Sequence, residues 1–422
     1  MEDLEPSFWS FAPTPPMGWN SWDCFGTTVT EPQVRDQAQV MASKLKPYGW
    51  QYVVVDIQWY EPESSGFDYR PDAPLTMDGY GRLLPAPNKF PSSANRLGFT
   101  GLANYVHRLD LKFGVHLMRG IPKQAVHLNL PIFGTTHHAQ DIANREDGCP
   151  WNPDNYGVDV SKPGGQDYYD GVFELLASWG VDFVKVDDIS RPYMSHQAEI
   201  EAIRQAIDRT GRDIVLSLSP GETALQAGDH VLNHANMWRI SDDFWDSWPL
   251  LVEQFDRCAN WSRYSGPGHF PDADMLPLGK IRFGEQTRFT PTEQETMLTL
   301  FAIARSPLML GCDLTKLDAA TLELITNPKL IRVNQEGRDA EEIWRRGDQI
   351  VWRSRSSGHD EIFLAFFNLG DEAAPVSISA EELGVKRPTL LRDLWGGQEI
   401  TPQGNPFRIE VPAHGSRLFS AL

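Results

Sequence analysis

The chain has 422 residues, with 57 Asp and Glu against 38 Lys and Arg and a formal net charge of −19. This balance excludes a nucleic-acid partner, because phosphate binding needs clustered cations, and argues equally against an anionic membrane surface. No apolar run reaches the roughly 18 residues of a membrane-spanning helix, and four cysteines with no Cys-x-x-Cys pair make neither a disulfide scaffold nor a zinc ribbon. The 14 Trp, 11 Tyr and 21 Phe supply core packing or flat surfaces on which a sugar ring stacks. The opening MEDLEPSFWSFAPTP is acidic and Pro-broken, unlike a secretory leader. A cytoplasmic location is expected, or an extracytoplasmic one if a leader has been removed.

Through the first three quarters one pattern repeats: an amphipathic helix, a Gly or Pro joint, then an apolar strand ending on a polar residue. After a first strand near Met17–Asn20, Thr30 can cap a helix, with Pro32 at an early position and Gln33 placed for a capping box. Val34, Ala38, Met41 and Leu45 continue it at helical spacing, Lys46-Pro47-Tyr48-Gly49 stops it, and Tyr52–Asp56 is the next strand. Helices from Phe99 to Leu109, Tyr168 to Trp179 and Ile200 to Arg209 lead into strands at Gly114–Met118, Phe183–Asp187 and Ile214–Ser219. Further strands are expected at Met237–Ser241, Asp274–Leu276 and Pro307–Leu310. Eight apolar strands, each following a helix, predict an α/β fold, a (β/α)8 TIM barrel over residues 1–326. A doubly wound sheet is weaker, since no Gly-x-Gly-x-x-Gly follows the first strand. Residues 119–162 are too long for a plain connection and are expected to wall or cover the site. From 327 to 422 the texture becomes short strands separated by turns (Gln349–Arg353, Glu361–Phe367, Ala374–Ile378, Arg408–Val411), which reads as a C-terminal antiparallel β-sandwich domain.

Barrel chemistry sits where strands end. Those positions hold Trp19 and Trp22, Asp56, His116 and Arg119, Lys185 and Asp187, Ser219, Arg239 and Asp243, and Asp272 and Asp274. Carboxylates with interspersed cations and Trp suit a polar, uncharged ligand better than a phosphate. Lys185, two positions before Asp187 and on the same side, favours the ionised carboxylate a nucleophile needs; position alone also suits Asp187 to capping a helix. Asp243 lies in an acidic run among Trp238, Phe244, Trp245 and Trp248, where desolvation and like charge would keep one carboxyl protonated for acid work; a surface acidic loop is its plainer alternative. Eleven scattered His, one local pair His137-His138 and no His-Glu-x-x-His give metal chemistry little support, and no cofactor is expected.

Pro16-Met17-Gly18-Trp19-Asn20-Ser21-Trp22 resembles the opening of glycoside hydrolase family 27, the α-galactosidase and α-N-acetylgalactosaminidase family. Val55-Asp56 with Trp59, Lys185-Val186-Asp187, Arg239-x-x-x-Asp243 with Trp248, Asp272-Ala273-Asp274-Met275-Leu276 and Ala304-Arg305-Ser306-Pro307-Leu308-Met309-Leu310 follow in family order. Val333-Asn334-Gln335 and Val411-Pro412-Ala413-His414-Gly415 look like the family's sandwich domain. The resemblance implies a retaining exo-glycosidase acting by double displacement on terminal α-linked sugars of oligosaccharides or glycoconjugates, α-galactosides foremost. It implies Asp187 as nucleophile and Asp243 as acid/base, about 5–5.5 Å apart. Trp22 matches the sugar platform, and Asp56, Lys185, Arg239 and Asp274 match positions that bind hydroxyls or orient carboxylates.

Three departures bear on the sugar. Ile57 stands where α-galactosidases have the second of two consecutive Asp that together hold the axial O4 and the O6, His116 stands where the family often has Tyr, and Ser219 stands near the selector of the C2 substituent. They keep isomalto-dextranase-like, α-N-acetylgalactosaminidase-like and β-L-arabinopyranosidase-like substrates open. A sugar-binding barrel without catalysis is the rival of another class, disfavoured by the intact pair Asp187 and Asp243. The disulfide that some members carry after the nucleophile strand is absent, since Ile189 occupies that position. Oligomeric state is not encoded in any of these patterns.

Overall fold

In the computed structural model, which describes residues 5–358, 361–383 and 390–421, eight short parallel strands curl into the barrel wall. They are β1 (Met17–Asn20), β2 (Tyr52–Val55), β3 (Lys112–Met118), β4 (Phe183–Asp187), β5 (Val215–Leu218), β6 (Met237–Arg239), β7 (Phe270–Asp272) and β8 (Leu308–Leu310). Hydrogen bonding runs in the order β7-β6-β5-β4-β3-β2-β1-β8. Almost every strand residue is buried, because helices cover the outer face while inward side chains fill the centre; hence the continuous apolar runs.

The seventh strand lies earlier than expected. Phe270–Asp272 pairs with β6, whereas Asp274–Leu276 crosses the rim, and a bridge between Leu276 and Leu310 joins it to β8 and closes the ring. Pro271 lacks a ladder donor and Asp272 is polar, so this strand has no apolar signature.

Helices α1 (Glu31–Val40), α2 (Thr100–Arg108), α3 (Gly165–Trp179), α4 (Tyr193–Thr210), α5 (Gly228–Leu232), α6 (Trp248–Trp261), α7 (Pro291–Ile303) and α8 (Ala319–Ile325) connect the strands. Thr30 caps α1 as its sequence predicts: Gln33 Oε1 accepts from both the Thr30 backbone N–H and its hydroxyl at 2.9 Å. The following turns end at Gly49, whose φ of +97° is open to glycine without strain. Helix α4 begins seven residues before the expected Ile200, because Tyr193, His196 and Glu199 face inward and interrupt the apolar spacing there. Residues 119–162 are not an open loop. Ile121–Pro122, Ala143–Gly148 and Asn155–Val158 form a small antiparallel sheet at the barrel mouth.

Helix α9 (Pro328–Glu336) leads into the antiparallel domain: β9 (Gly337–Arg346), β10 (Gln349–Ser356), β11 (Ile362–Asn368), β12 (Ala374–Ile378), β13 (Leu391–Asp393), β14 (Glu399–Ile400), β15 (Phe407–Val411) and β16 (Gly415–Ala421). A six-stranded sheet β9-β10-β11-β16-β13-β14 faces the pair β12-β15. Val351, Leu364, Phe366 and Phe419 on one side meet Val376, Ile378, Phe407 and Ile409 on the other. Alternate residues Ile350, Trp352, Phe363 and Phe367 instead join the barrel core, so one sheet packs on both its faces. Helix α7 is wedged at this junction, and from Thr296 to Ile303 it is buried on all sides, as a largely apolar helix segment must be. Trp248 stacks on His414 there, ring centroids 4.0 Å apart, and Thr296 Oγ1 donates to the His414 carbonyl at 2.8 Å.

The β1–β8 seam is locked by Trp19, whose indole N–H donates to the Cys312 carbonyl at 2.7 Å with both groups buried. Trp19→Phe removes the indole N–H and part of the buried ring volume and strands that carbonyl, and should cost at least about 1–3 kcal/mol, read as a lower urea midpoint at unchanged slope.

Candidate active site

Asn20 ends β1 and sets the floor of the barrel mouth. Its Nδ2 donates to Asp56 Oδ2 at 2.7 Å, and its Oδ1 accepts the Trp22 backbone N–H at 2.9 Å. One side chain thus fixes both an indole and a carboxylate. Asp56, the residue after β2, also accepts from Lys185 Nζ at 3.0 Å, and the same ammonium lies 3.7 Å from Asp187 Oδ2. Lys185 and Asp187 share a face of β4 because strand side chains alternate. His116 Nε2, on neighbouring β3, meets Asp187 Oδ2 at 2.9 Å.

Asp187 is therefore held from below and caps no helix; Pro192 precedes α4. Its Oδ1 is buried with no hydrogen-bond partner. Burial opposes its ionisation, but the Lys185 ammonium and His116 outweigh that cost and hold the carboxyl well below the usual range. Burial likewise disfavours charge on Lys185, and the carboxylates of Asp187 and Asp56 reverse the effect and raise it. Removing one partner of such a buried cluster costs about 3–5 kcal/mol, so the three groups stand or fall together.

On the opposite wall Arg239, closing β6, is shared. Its Nη1 meets Asp274 Oδ1 at 2.8 Å and its Nη2 meets Asp243 Oδ1 at 3.2 Å. Asp274 Oδ2 accepts the Phe244 N–H at 2.7 Å, which fixes the segment bearing Asp243. The desolvation expected at Asp243 falls elsewhere, because its side chain is 63% exposed. Asp274 is the group raised well above the carboxylate range, first by burial and then by its neighbours Asp243 and Asp272, against the pull of Arg239. Of the four aromatic residues flanking Asp243, Phe244 and Trp245 line the pocket, Trp238 is wholly buried and Trp248 belongs to the domain junction.

The pocket encloses about 290 Å³ and is lined by Trp22, Asp56, Ile57, Lys185, Asp187, Arg239, Asp243 and Asp274. Eight of the ten site residues expected from sequence thus converge. His116 and Ser219 do not reach it. Both are buried beneath the floor, with Ser219 Oγ 3.4 Å from Arg239 Nη1, so His116 braces Asp187 and neither touches a ligand in the pocket. Trp19 and Arg119 also leave the rim: Trp19 is core, and Arg119 is tied to Asp147, Asp188 and Glu199.

Sequence reasoning missed the aromatic collar. Tyr69 stacks near-parallel to Trp22, centroids 6.2 Å apart; Phe67 meets Trp22 edge-on; Trp151 leans on Tyr69. Phe67 and Tyr69 come from an aperiodic loop after β2 and Trp151 from the 119–162 insertion; their only signal was the aromatic load itself. Asp23 was missed too. Its Oδ2 is buried without a partner, and burial beside Asp274 and Asp243 raises its carboxyl well above the usual range. Asp56, His116 and Asp187 are spaced to hold a metal ion, but Lys185 already supplies the positive charge between the two carboxylates.

A family model described as alpha galactosidase A matches residues 155–336, and one for the alpha galactosidase C-terminal beta sandwich domain matches residues 346–421. A solved family 27 β-L-arabinopyranosidase from Geobacillus stearothermophilus superposes with a TM-score of 0.97 at 50% identity, covering 99% of this chain and 98% of that one. The chain belongs to glycoside hydrolase family 27. Alpha-galactosidase 3 of Arabidopsis thaliana is 29% identical over 97% of this chain and 82% of its own length. Alpha-galactosidase A of Cellvibrio japonicus is 27% identical over 97% and 92%. As a family 27 enzyme the protein is a retaining glycoside hydrolase with oligosaccharide or glycoconjugate substrates.

The depressed Asp187 carboxyl has a kinetic consequence. A group whose folded pKa lies below its unfolded value keeps its charge until the pH falls through the folded value. With an aryl glycoside whose leaving group needs no protonation, the acid limb of kcat/KM that Asp187 sets should therefore lie below about pH 4, where free Asp titrates; a limb nearer neutrality belongs to a raised carboxyl such as Asp274. His116→Phe removes one brace and should move the acid limb upward; superimposable limbs would show that His116 does not act on Asp187.

Proposed function

We propose that the pocket hydrolyses terminal β-L-arabinopyranosides, with Asp187 as nucleophile and Asp243 as acid/base. Asp187 Oδ1, free of hydrogen bonds, attacks the anomeric carbon while Asp243 protonates the departing oxygen, giving a glycosyl-enzyme. Asp243, now a base at the exposed edge, takes a proton from water, which displaces Asp187 with overall retention. Arg239 aims Asp243 by its 3.2 Å contact. Trp22 offers its face to the apolar side of the sugar, and Asp56 and Lys185 bind ring hydroxyls at the closed end of the pocket.

The observation that carries the sugar assignment is Ile57, buried and lining the pocket beside Asp56. β-L-Arabinopyranose has the ring configuration of α-D-galactose without the hydroxymethyl group on C5. An apolar branched side chain where galactosidases place a second Asp leaves an O6 hydroxyl without a partner and crowds its carbon. It costs an arabinopyranoside nothing. The enzyme from Geobacillus stearothermophilus with this named activity, at 50% identity, supports the same reading. α-D-Galactosides are the second reading, favoured by the plant and bacterial relatives with that name at 27–29% identity.

The two are separated by kcat/KM on the paired p-nitrophenyl glycosides. The arabinopyranoside should lead by at least about tenfold, the order by which a pocket rejects one ill-fitting carbon; equal or better turnover of the galactoside would favour the second reading. Ile57→Asp should shift the ratio toward galactoside by about 10–100-fold, and Ile57→Ala, which only makes room, by less. Asp187→Ala should abolish turnover, with azide restoring part of it on an activated substrate. Unimpaired hydrolysis would remove Asp187 from the nucleophile role.

A further inference from the structure

Outside the pocket, Glu201 on α4, His230 on α5 and His234 just beyond α5 each bring one donor atom within 4.8 Å of the others. His230 Nε2 stands 3.2 Å from Glu201 Oε1. The two imidazoles lie parallel, ring centroids 4.1 Å apart and planes 16° from coplanar, as i and i+4 spacing on one helical face allows. Glu201 is 57% exposed and His230 21%, so an ion has an open path from solvent.

The partners of the other ring nitrogens single this cluster out. His234 Nδ1 meets the His230 carbonyl at 2.7 Å, and a carbonyl only accepts, so Nδ1 carries the proton and Nε2 keeps its lone pair. His230 Nδ1 meets the hydroxyl of buried Tyr193 at 2.7 Å. Both rings are held through Nδ1, as second partners hold metal-binding imidazoles; His230 Nε2 faces the Glu201 carboxylate, which only accepts, so an ion binding there displaces the Nε2 proton. Tetrahedral ligands at about 2.0–2.1 Å sit roughly 3.3 Å from one another, close to the Glu201–His230 separation. The nearest buried cation, Arg204, is turned to Asp208 at 2.7 Å and does not occupy the site.

We propose that Glu201, His230 and His234 bind one divalent transition-metal ion, zinc by ligand type, with water completing a tetrahedron. The ion ties α4 to the segment after β5. Through Tyr193 it braces the start of α4, next to the loop whose Arg191 forms a two-point ion pair with Asp242 at the pocket mouth. The role is structural, since none of the three residues lines the pocket. An i, i+4 histidine pair on a five-residue helix, with its third ligand 29 positions upstream, escapes a sequence search for metal motifs.

The test uses the full-length enzyme stripped with chelator and titrated with Zn2+ by calorimetry, and with Co2+ by visible d–d absorption. One equivalent should bind, Co2+ should give the intense bands of tetrahedral coordination, and Zn2+ should raise Tm while leaving kcat/KM unchanged. His234→Ala should weaken binding at least about tenfold, as loss of even a supporting group does. Glu201→Gln, at an exposed position that does not threaten folding, should weaken it and remove the Tm increment. Absence of stoichiometric binding, or binding and Co2+ bands undiminished in both variants, would overturn the proposal.

Discussion

The Lys185 ammonium, set between the carboxylates of Asp56 and Asp187, is the interaction on which the pocket depends. It is buried with its partners, so each charge is tolerated only because the others are present. Two strands and the end of a third must keep register for that contact to exist: β2 delivers Asp56, β4 delivers Lys185 and Asp187, and Asn20 from β1 completes the coordination of Asp56. The apolar barrel wall is what holds that register. A one-residue slip in β4 would turn both charges, with Phe183, into the helix layer and bring Val184 and Val186 inward.

Around this charged floor the molecule places aromatic surface. Trp22, Phe67, Tyr69, Trp151 and Trp245 come from four separate segments, yet they share the pocket rim, with faces and edges in contact. The collar presents mainly aromatic faces, while the buried charges lie at the Asp56–Lys185 end of the pocket. Ile57 sits where these two regimes meet. Its side chain is apolar and packed, so the pocket offers no carboxylate at that position.

The sandwich domain acts on this site only at a distance. Alternate residues of one sheet extend the barrel core, and α7 is enclosed between the two units. The Trp248–His414 stack, with His414 also bonded to Glu293 and Asp371, pins the helix that follows the Asp243 segment. The domains therefore share one continuous apolar interior, and the family motif around His414 is explained by packing rather than chemistry.

Much of this was legible in sequence because it rests on local rules: apolar runs for buried strands, Thr30 and Gln33 for a helix start, polar residues at strand ends for the rim. Asp56, Lys185, Asp187, Arg239, Asp243 and Asp274 were found that way, and all six line the pocket. The seventh strand was misplaced because Pro271 and Asp272 hide it, and β9, β13, β14 and β16 went unread because their alternation is weak or their runs short. Which acid is desolvated was also beyond sequence: Asp243 and Asp274 have similar neighbours along the chain, but only the fold buries one and exposes the other. His116 and Ser219 could be assigned to the rim but not to its underside, since a strand-end position gives no depth. Sequence alone determined the barrel and its candidate carboxylates, because periodicity and strand-end chemistry are properties of neighbouring residues; the retaining chemistry came from the resemblance to family 27. Tertiary structure decided the aromatic collar, the protonation contrast between Asp187 and Asp274, and the meeting of Glu201 with His230 and His234, because burial and through-space charge arise only when distant segments are brought together.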